Sequence, residues 1–437
     1  MAYLIIMLKN KLALLSITFV LISQILMAQG QGNSPYSVLG MGELSEATAP
    51  AQDMMGGTGV SFGNAFYVNS INPALLVKNR VASGYKYVAF NVGFRGNLKT
   101  INTTNKAVRD FGMNMQSLSI SSALTNNWAT SIILSPYSIM DYRSIKTGPI
   151  EGQPEGTITY DNNYTGGINR VSYINSFRAF KNLYLGLEGH YNFGSMLKDS
   201  SSYLFNDLTN QLRTSTRLNA NGASVKIGAA YQQKLSEDWR FNVGASFEKS
   251  AKLKTQTLRT LGTFADVGNG AFLTRKPDTL ANLSGTIQTP DQIRLGISFE
   301  SPFHWVFAAD YYQTNWDKAR GFNKSEDNYF GTSKEYRFGI EYLPNSNSTK
   351  YFNQVFYRAG FSTGDSPYVI AGQRIKDSKV TMGLSMPMGF RNPNYLNLGV
   401  ALGNRGVTTN NLIKENYVRI SVSFDLLSPW YIKPKID

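Results

Sequence analysis

The stretch Tyr417-Val418-Arg419-Ile420-Ser421-Val422-Ser423-Phe424, near the end of the chain, decides the fold class. In an extended strand Val418, Ile420, Val422 and Phe424 point one way, and Arg419, Ser421 and Ser423 point the other. Strict alternation closed by an aromatic residue suits a strand with lipid on one face and a polar lumen on the other. Any half-buried sheet alternates, so a single strand decides little. Here the pattern recurs. Ile293, Leu295, Ile297 and Phe299 oppose Arg294, Gly296, Ser298 and Glu300, while Tyr336, Phe338, Ile340 and Tyr342 oppose Arg337, Gly339 and Glu341. Tyr357, Ala359 and Phe361 oppose Arg358, Gly360 and Ser362, and Phe241, Val243, Ala245 and Phe247 oppose Asn242, Gly244, Ser246 and Glu248. A charge facing mid-bilayer lipid costs roughly 2–4 kcal/mol. The charged set therefore faces inward, and Arg294, Glu300, Arg337, Glu341, Arg358 and Arg419 form a mixed-sign lumen wall able to pair internally. A soluble sandwich would bury the apolar face between two sheets instead.

Targeting separates the two. Lys9 and Lys11 precede an apolar run from Leu12 to Ile22, and Leu26-Met27-Ala28 stands before Gln29. That order is a secretory signal with cleavage after Ala28, and Met7 is an alternative start. The run is shorter than the ~20 residues a membrane helix needs. No later stretch approaches that length, so a membrane-spanning form must be a closed barrel without free sheet edges. The mean hydropathy of −0.23 fits barrel and sandwich alike. The 25 Tyr, 25 Phe and 5 Trp suit interfacial girdles, and the absence of cysteine removes disulfide and thiolate chemistry. The net charge of +14 falls to +12 without Lys9 and Lys11, and no block of five like charges occurs. The charge therefore reads as dispersed loop lysines, and a secretion signal argues against nucleic acid.

Three segments result: signal peptide 1–28, an N-terminal tail and hatch 29–80 without sustained alternation, and a barrel over 81–437. Six hairpins are marked by short turns at 125–127, 181–182, 235–238, 301–302, 344–347 and 392–394. With an opening strand at 84–96 and a closing one at 416–426 they make fourteen strands of roughly 9–12 residues. The polar stretches 97–111, 139–165, 194–222, 249–291, 313–334, 363–378 and 403–415 read as long outward loops, with 249–291 able to fold over the mouth. Gly186, Gly228, Gly244, Gly296, Gly339, Gly383 and Gly399 form an inward collar near the short turns. Such glycines either ease curvature or admit another backbone, and the spare backbone is the N-terminal segment.

That segment reads Met54-Met55-Gly56-Gly57-Thr58-Gly59, then Asn69-Ser70-Ile71-Asn72-Pro73-Ala74-Leu75-Leu76. It resembles the hatch of the FadL-like family of outer-membrane transporters for long-chain fatty acids and hydrophobic compounds. There a small-residue glycine motif leads to Asn-Pro-Ala before the first strand. Thr289-Pro290-Asp291, Trp305 to Asp310 with Trp316-Asp317, Tyr336-Arg337-Phe338-Gly339, and Arg358-Ala359-Gly360 with Asp365-Ser366-Pro367 also look like that family. The resemblance implies a 14-stranded barrel in a Gram-negative outer membrane. Its N-terminus would plug it through Gly56, Gly57, Gly59, Asn72, Pro73 and Ala74, with a ligand route that leaves sideways through the wall. The chain departs from the family in its polar stretches 139–165 and 194–222 and in the extra upstream residues 29–53.

No catalytic, metal or cofactor signature emerges. His190 is expected inward beside Glu188, and Ser195 lies five residues along an extended chain, too far for contact. Two histidines and no cysteine leave no metal cluster, and Gly56-Gly57-Thr58-Gly59 lacks the lysine of a phosphate loop. Two non-enzymatic functions remain. One is passive uptake or export of hydrophobic compounds. The other is a non-transporting accessory subunit of an outer-membrane secretion or assembly machine. A ligand route needs a contiguous apolar pocket, whereas the inward residues are mostly Arg, Glu, Ser and Gly. Expected partners are outer-membrane lipids and lipopolysaccharide, a hydrophobic ligand, and other outer-membrane proteins.

Overall fold

The structure is a computed structural model that describes residues 34–429, apart from 47, 65, 79–86, 105, 151–152, 205–206, 267–270, 274–275, 322–325, 390–393 and 410–411. The signal peptide, tail residues 29–33 and most of the 392–394 turn lie outside the described residues. Fourteen antiparallel strands form the wall: β1 Tyr87–Asn102, β2 Ala107–Thr125, β3 Trp128–Ile150, β4 Gln153–Arg178, β5 Leu183–Leu204, β6 Asp207–Lys234 and β7 Arg240–Glu248. They continue as β8 Asp291–Ser301, β9 Trp305–Asn315, β10 Ser333–Tyr342, β11 Phe356–Ile370, β12 Gln373–Pro387, β13 Tyr395–Arg405 and β14 Lys414–Pro429. Each pairs with its chain neighbours, and β14 returns to β1 from Lys414↔Asn102 to Pro429↔Tyr87, so the sheet closes. Closure leaves no edge to be satisfied by lipid.

The alternation holds across the lipid-facing part of the wall. Leu295, Ile297, Phe338, Ile340 and Ile420 are exposed, whereas Ser298, Arg337, Glu341, Ser421 and Ser423 are buried. The fourteen strands stand as expected, as do the five short turns that lie within the described residues. Strand lengths do not. The polar stretches around 97–111, 139–165, 194–222 and 363–378 are largely hairpins that extend the strands, and β3 to β6 run 22 to 28 residues. Beyond the lipid neither face must be apolar, so alternation fades while backbone pairing continues. The 249–291 stretch does not fold over the mouth. It forms an upper hairpin, Lys252–Asp266 with Asp278–Gln288, whose first strand pairs with β6 and raises the wall.

One seam interrupts the described wall. β2 and β3 pair only from Leu118↔Leu134 down to Thr125↔Trp128. Above that, β3 carries Pro136 and a register shift between Pro136 and Ser138. Proline has no amide hydrogen and belongs at bulges or edges, so the ladder parts here. The freed edge of β3 is taken by the N-terminal segment, with Glu43↔Ile139 and Leu44↔Ser138 in register and the Ser45 amide donating to the Tyr137 carbonyl at 2.9 Å.

Candidate functional site in the barrel lumen

The N-terminal segment lies against the inward faces of the strands from the long-hairpin end to the short-turn end. At the long-hairpin end the Ser34 amide donates to the Asp141 carbonyl at 3.0 Å, and Ser34 Oγ donates to Glu415 at 2.7 Å. Tyr36 stacks on Tyr368 with ring centroids 5.5 Å apart. Tyr36, Met41, Tyr137, Trp316, Phe330 and Tyr368 belong to one buried apolar cluster across this mouth. At the short-turn end Leu75, Leu76 and Val77 pack with Ile133, Ile174 and Leu427, and the Val77 amide donates to Ser176 Oγ at 3.1 Å.

The glycine collar is where this segment touches the wall. A Cβ added at Gly186 would collide with the backbone of Pro73 and Ala74, at Gly228 with Asn72 and Pro73, and at Gly244 with the backbone of Val60. Gly339 meets Met55 and Thr58, Gly360 meets the Met55–Gly56 backbone, and Gly383 and Gly399 meet the Met54 side chain. At Gly296 the obstacles are Asp310 and Val60. Close approach of the N-terminal segment therefore accounts for the collar, by its backbone at Gly186, Gly244 and Gly339 and by its side chains at Gly228, Gly383 and Gly399, while Gly296 meets both Val60 and the wall's own Asp310. Gly56 adds its own requirement, since its φ of +69° is a left-handed conformation that a side chain disfavours.

Polar groups complete the fit. Asn72 Oδ1 accepts from the Ala74 amide at 3.0 Å, closing a turn on its own backbone, while its Nδ2 donates to the Val60 carbonyl at 2.7 Å and to the Ala229 carbonyl of β6 at 3.0 Å. Pro73 starts a short 3-10 helix ending at Lys78. The Gly59 and Val60 amides donate to Asp310 Oδ2 at 2.8 and 3.1 Å. Thr381 Oγ1 accepts from the Gly56 amide and donates to the Met54 carbonyl, both at 2.9 Å. Lys226 Nζ donates to the Ser70 carbonyl at 2.8 Å and pairs with Glu188 at 2.6 Å.

The six lumen-wall residues are all brought to the interior side, but they pair as much with the segment as with one another. Arg337 makes a two-pronged contact to Glu46 at 2.7 and 2.9 Å, donates to the Gly57 carbonyl at 3.1 Å and lies 3.7 Å over the Tyr312 ring. Arg358 pairs with Glu341 at 2.7 Å, the one pair within the expected set. Glu300 lies 3.8 Å from Lys78. Arg294 donates to Gln292 at 2.6 Å, and Arg419 donates to Asn97 at 3.0 Å. Arg95 with Asp53, and Arg405 with Glu43 at 2.7 Å, are further bridges between wall and segment that the sequence reading missed. Arg95 was legible by parity, since Asn91, Gly93, Arg95 and Asn97 share one face of β1; Glu43, Glu46 and Asp53 sit in aperiodic chain with no such signal.

Burial would raise the carboxyl pKa of Glu46, but the Arg337 guanidinium outweighs it and holds the group down at about 2. Glu43 is likewise held low, with Arg405 and Lys99 outweighing burial. His190 faces inward 3.1 Å from Glu188, while Ser195 lies exposed on the opposite face of β5, so the two do not meet.

The space left over is a cavity of about 230 Å³. Its lining includes eight acidic and eight basic side chains, among them Glu46, Asp53, Glu248, Arg294, Arg337 and Arg419. At ~30 Å³ per molecule it has room for several waters. It lacks the continuous apolar lining a hydrophobic ligand needs.

The family model for BamG matches residues 7–437. The chain belongs to the BamG family. No curated protein matches it in sequence. Among solved structures it is similar to the Pseudomonas putida toluene transporter TodX, with a TM-score of 0.55 and 17% identity over 89% of this chain and 99% of that one. A Pseudomonas aeruginosa FadL homologue gives a TM-score of 0.56 at 10% identity over 89% of this chain and 100% of that one. The Ralstonia pickettii toluene transporter TbuX gives 0.53 at 15% identity over 86% and 97%. At such identities the likeness shows the fold: this BamG-family chain is a 14-stranded antiparallel β-barrel of FadL-like architecture.

Proposed function

We propose that the chain is a non-enzymatic, non-transporting barrel of a Gram-negative outer membrane, acting as an accessory subunit of a protein secretion or assembly machine. Residues 1–28 are its signal peptide, 29–80 its tail and hatch, and 81–437 its barrel. The observation that carries this reading is the state of the lumen. Residues of the 34–78 segment pack along it, the remaining cavity is charged, and the β3 edge of the seam is covered by Glu43–Ser45. Such an interior supports a role exercised through the outer wall and hairpins, with outer-membrane proteins, lipids and lipopolysaccharide as partners.

A second reading is favoured by the FadL-like fold. In it, hydrophobic compounds pass the plugged lumen and leave through a lateral opening, for which the β2–β3 seam is the natural place, with Gly56, Gly57, Gly59, Asn72, Pro73 and Ala74 moving as the hatch. One experiment separates the two. The chain has no cysteine, so a Leu44→Cys/Ser138→Cys pair, whose residues are register partners, locks the N-terminal segment onto β3 at the seam on oxidation. Full complementation by the locked protein, with stoichiometric membrane-protein partners on gentle detergent extraction, is the expected result. Loss of hydrophobic-compound uptake on locking, with a bound acyl chain in the lumen, would transfer the case to the second reading.

A further inference from the structure

β7 and the upper hairpin above it are joined by Lys249-Ser250-Ala251. Below the joint Glu248 pairs with Lys226 of β6, and above it Lys254 pairs with Asn221. Six steps from Glu248 to Lys254 thus lie against five from Lys226 to Asn221, the signature of a one-residue bulge. A bulge reverses which residues face out. β7 turns the odd-numbered Val243, Ala245 and Phe247 outward, whereas the upper strand turns out the even-numbered Lys252, Lys254, Gln256 and Leu258. Lys249, two residues beyond Phe247, is exposed on the same face. With uninterrupted parity Lys252 and Lys254 would face the lumen. The bulge gathers Lys249, Lys252 and Lys254 on the outer surface, and Arg217 of β6, the register partner of Leu258, stands exposed above them.

Their height is set by the strand. Trp239, stacked on Phe307, marks the turn-side aromatic rim, and Lys249 follows ten residues later. At ~3.3 Å per residue and a tilt of ~40° that is roughly 25 Å, the height of a barrel's apolar band. The lysines therefore stand at the opposite lipid interface, directly above the exposed Val225 and Ile227 of β6 and Val243 and Phe247 of β7. Among the described residues none of the four cations forms an ion pair. The acid at the joint, Asp291, is engaged elsewhere: it accepts from the Ser250 amide at 2.7 Å and lies 3.7 Å from Lys318.

We propose that this face is a binding site for an outer-leaflet phosphorylated glycolipid of the lipid A type, its phosphates on Lys249, Lys252 and Lys254 and its acyl chains on the apolar residues below. A phosphate carries the charge that three clustered ammonium groups favour, at the depth where they stand. The proposal rests on the outer-membrane, long-hairpins-outward reading and names the lipid partner's place on it.

The test uses the full-length protein in detergent, offered lipid A or chemically dephosphorylated lipid A and examined by native mass spectrometry. Wild type should retain lipid A, and K249E/K252E/K254E should retain at least about tenfold less. The triple arginine variant should retain it as wild type does, and R217E should show a smaller loss. Dephosphorylated lipid should bind wild type as weakly as lipid A binds the triple glutamate variant. Equal retention by wild type and the folded glutamate variant, or equal binding of the two lipids, overturns the site. Should the glutamate variant fail to fold, the phosphate dependence of wild type decides alone. Failure of the purified barrel to insert into bilayers would instead sink the outer-membrane reading.

Discussion

The two halves of the N-terminal segment meet the same barrel by different physics. Residues 48–78 touch it backbone to backbone, in places where Gly186, Gly244, Gly339 and Gly360 have no side chain to refuse them. Residues 34–46 are held by long side chains, through Glu43 to Arg405, Glu46 to Arg337, and a two-residue ladder on β3. The first kind of contact depends chiefly on shape, with Asp53 on Arg95 and the Asp310 carboxylate under the Gly59 and Val60 amides as its charged additions. The second depends on charge and yields to pH. The difference teaches that the short-turn half of the lumen is built as core, while the long-hairpin half is latched.

The largest effect should come from deleting the lower region with the upper. A chain lacking Gln29–Leu76 should keep the heat-resistant barrel but change from a poorly conducting to an open pore in planar-bilayer recording. Loss of the folded barrel would show that the segment is core in the strict sense. Gly360→Val should come next, because its Cβ would strike the Met55–Gly56 backbone. Overpacking of this kind costs about 1–3 kcal/mol or more. Protease sites in 48–78 should become accessible in the folded barrel, and continued protection would break the backbone-contact account. Asn72→Ala leaves the buried Val60 and Ala229 carbonyls without their side-chain donor. It should cost about 1–3 kcal/mol in chemical denaturation of the detergent-solubilised protein.

Acid should loosen the latch, whose Glu43 and Glu46 carry its ion pairs to the wall. The Glu46 carboxyl sits at about 2 in the fold against an ordinary value of 4.5. A depressed carboxyl pKa contributes stability that is present above the unfolded value and lost as pH falls through the folded one. Protection of the 34–46 amides, taken against their intrinsic exchange rates, should therefore fall between about pH 4.5 and 2, ahead of residues 69–77, and a uniform loss of protection would erase the distinction. The smallest effect belongs to neither half. Arg143→Ala removes an exposed pair to Asp161 on the tall wall and should change stability by less than about 1 kcal/mol.

Much of this was legible in the residues. Phe338 and Arg337, or Ile420 and Ser421, had to face oppositely because a strand alternates and lipid rejects charge. Six short turns then gave fourteen strands and closure. The hidden parts were those without a period. Glu46 and Asp53 lie in irregular chain, and the strand extensions around 139–165 carry polar residues on both faces, so nothing local marks them as strand.

By itself the sequence determined that a barrel forms, which face meets lipid, and that an inward glycine collar had two candidate causes. Only the tertiary structure decided between them, by placing Pro73, Val60 and Met55 against those glycines. It alone located the seam at Pro136, the pairing of Glu43 and Leu44 with its β3 edge, and the bulge that turns Lys252 and Lys254 outward. The reason is range: alternation is a property of neighbours along one strand, whereas a close approach, a parted ladder or a parity flip exists only between segments far apart in the chain.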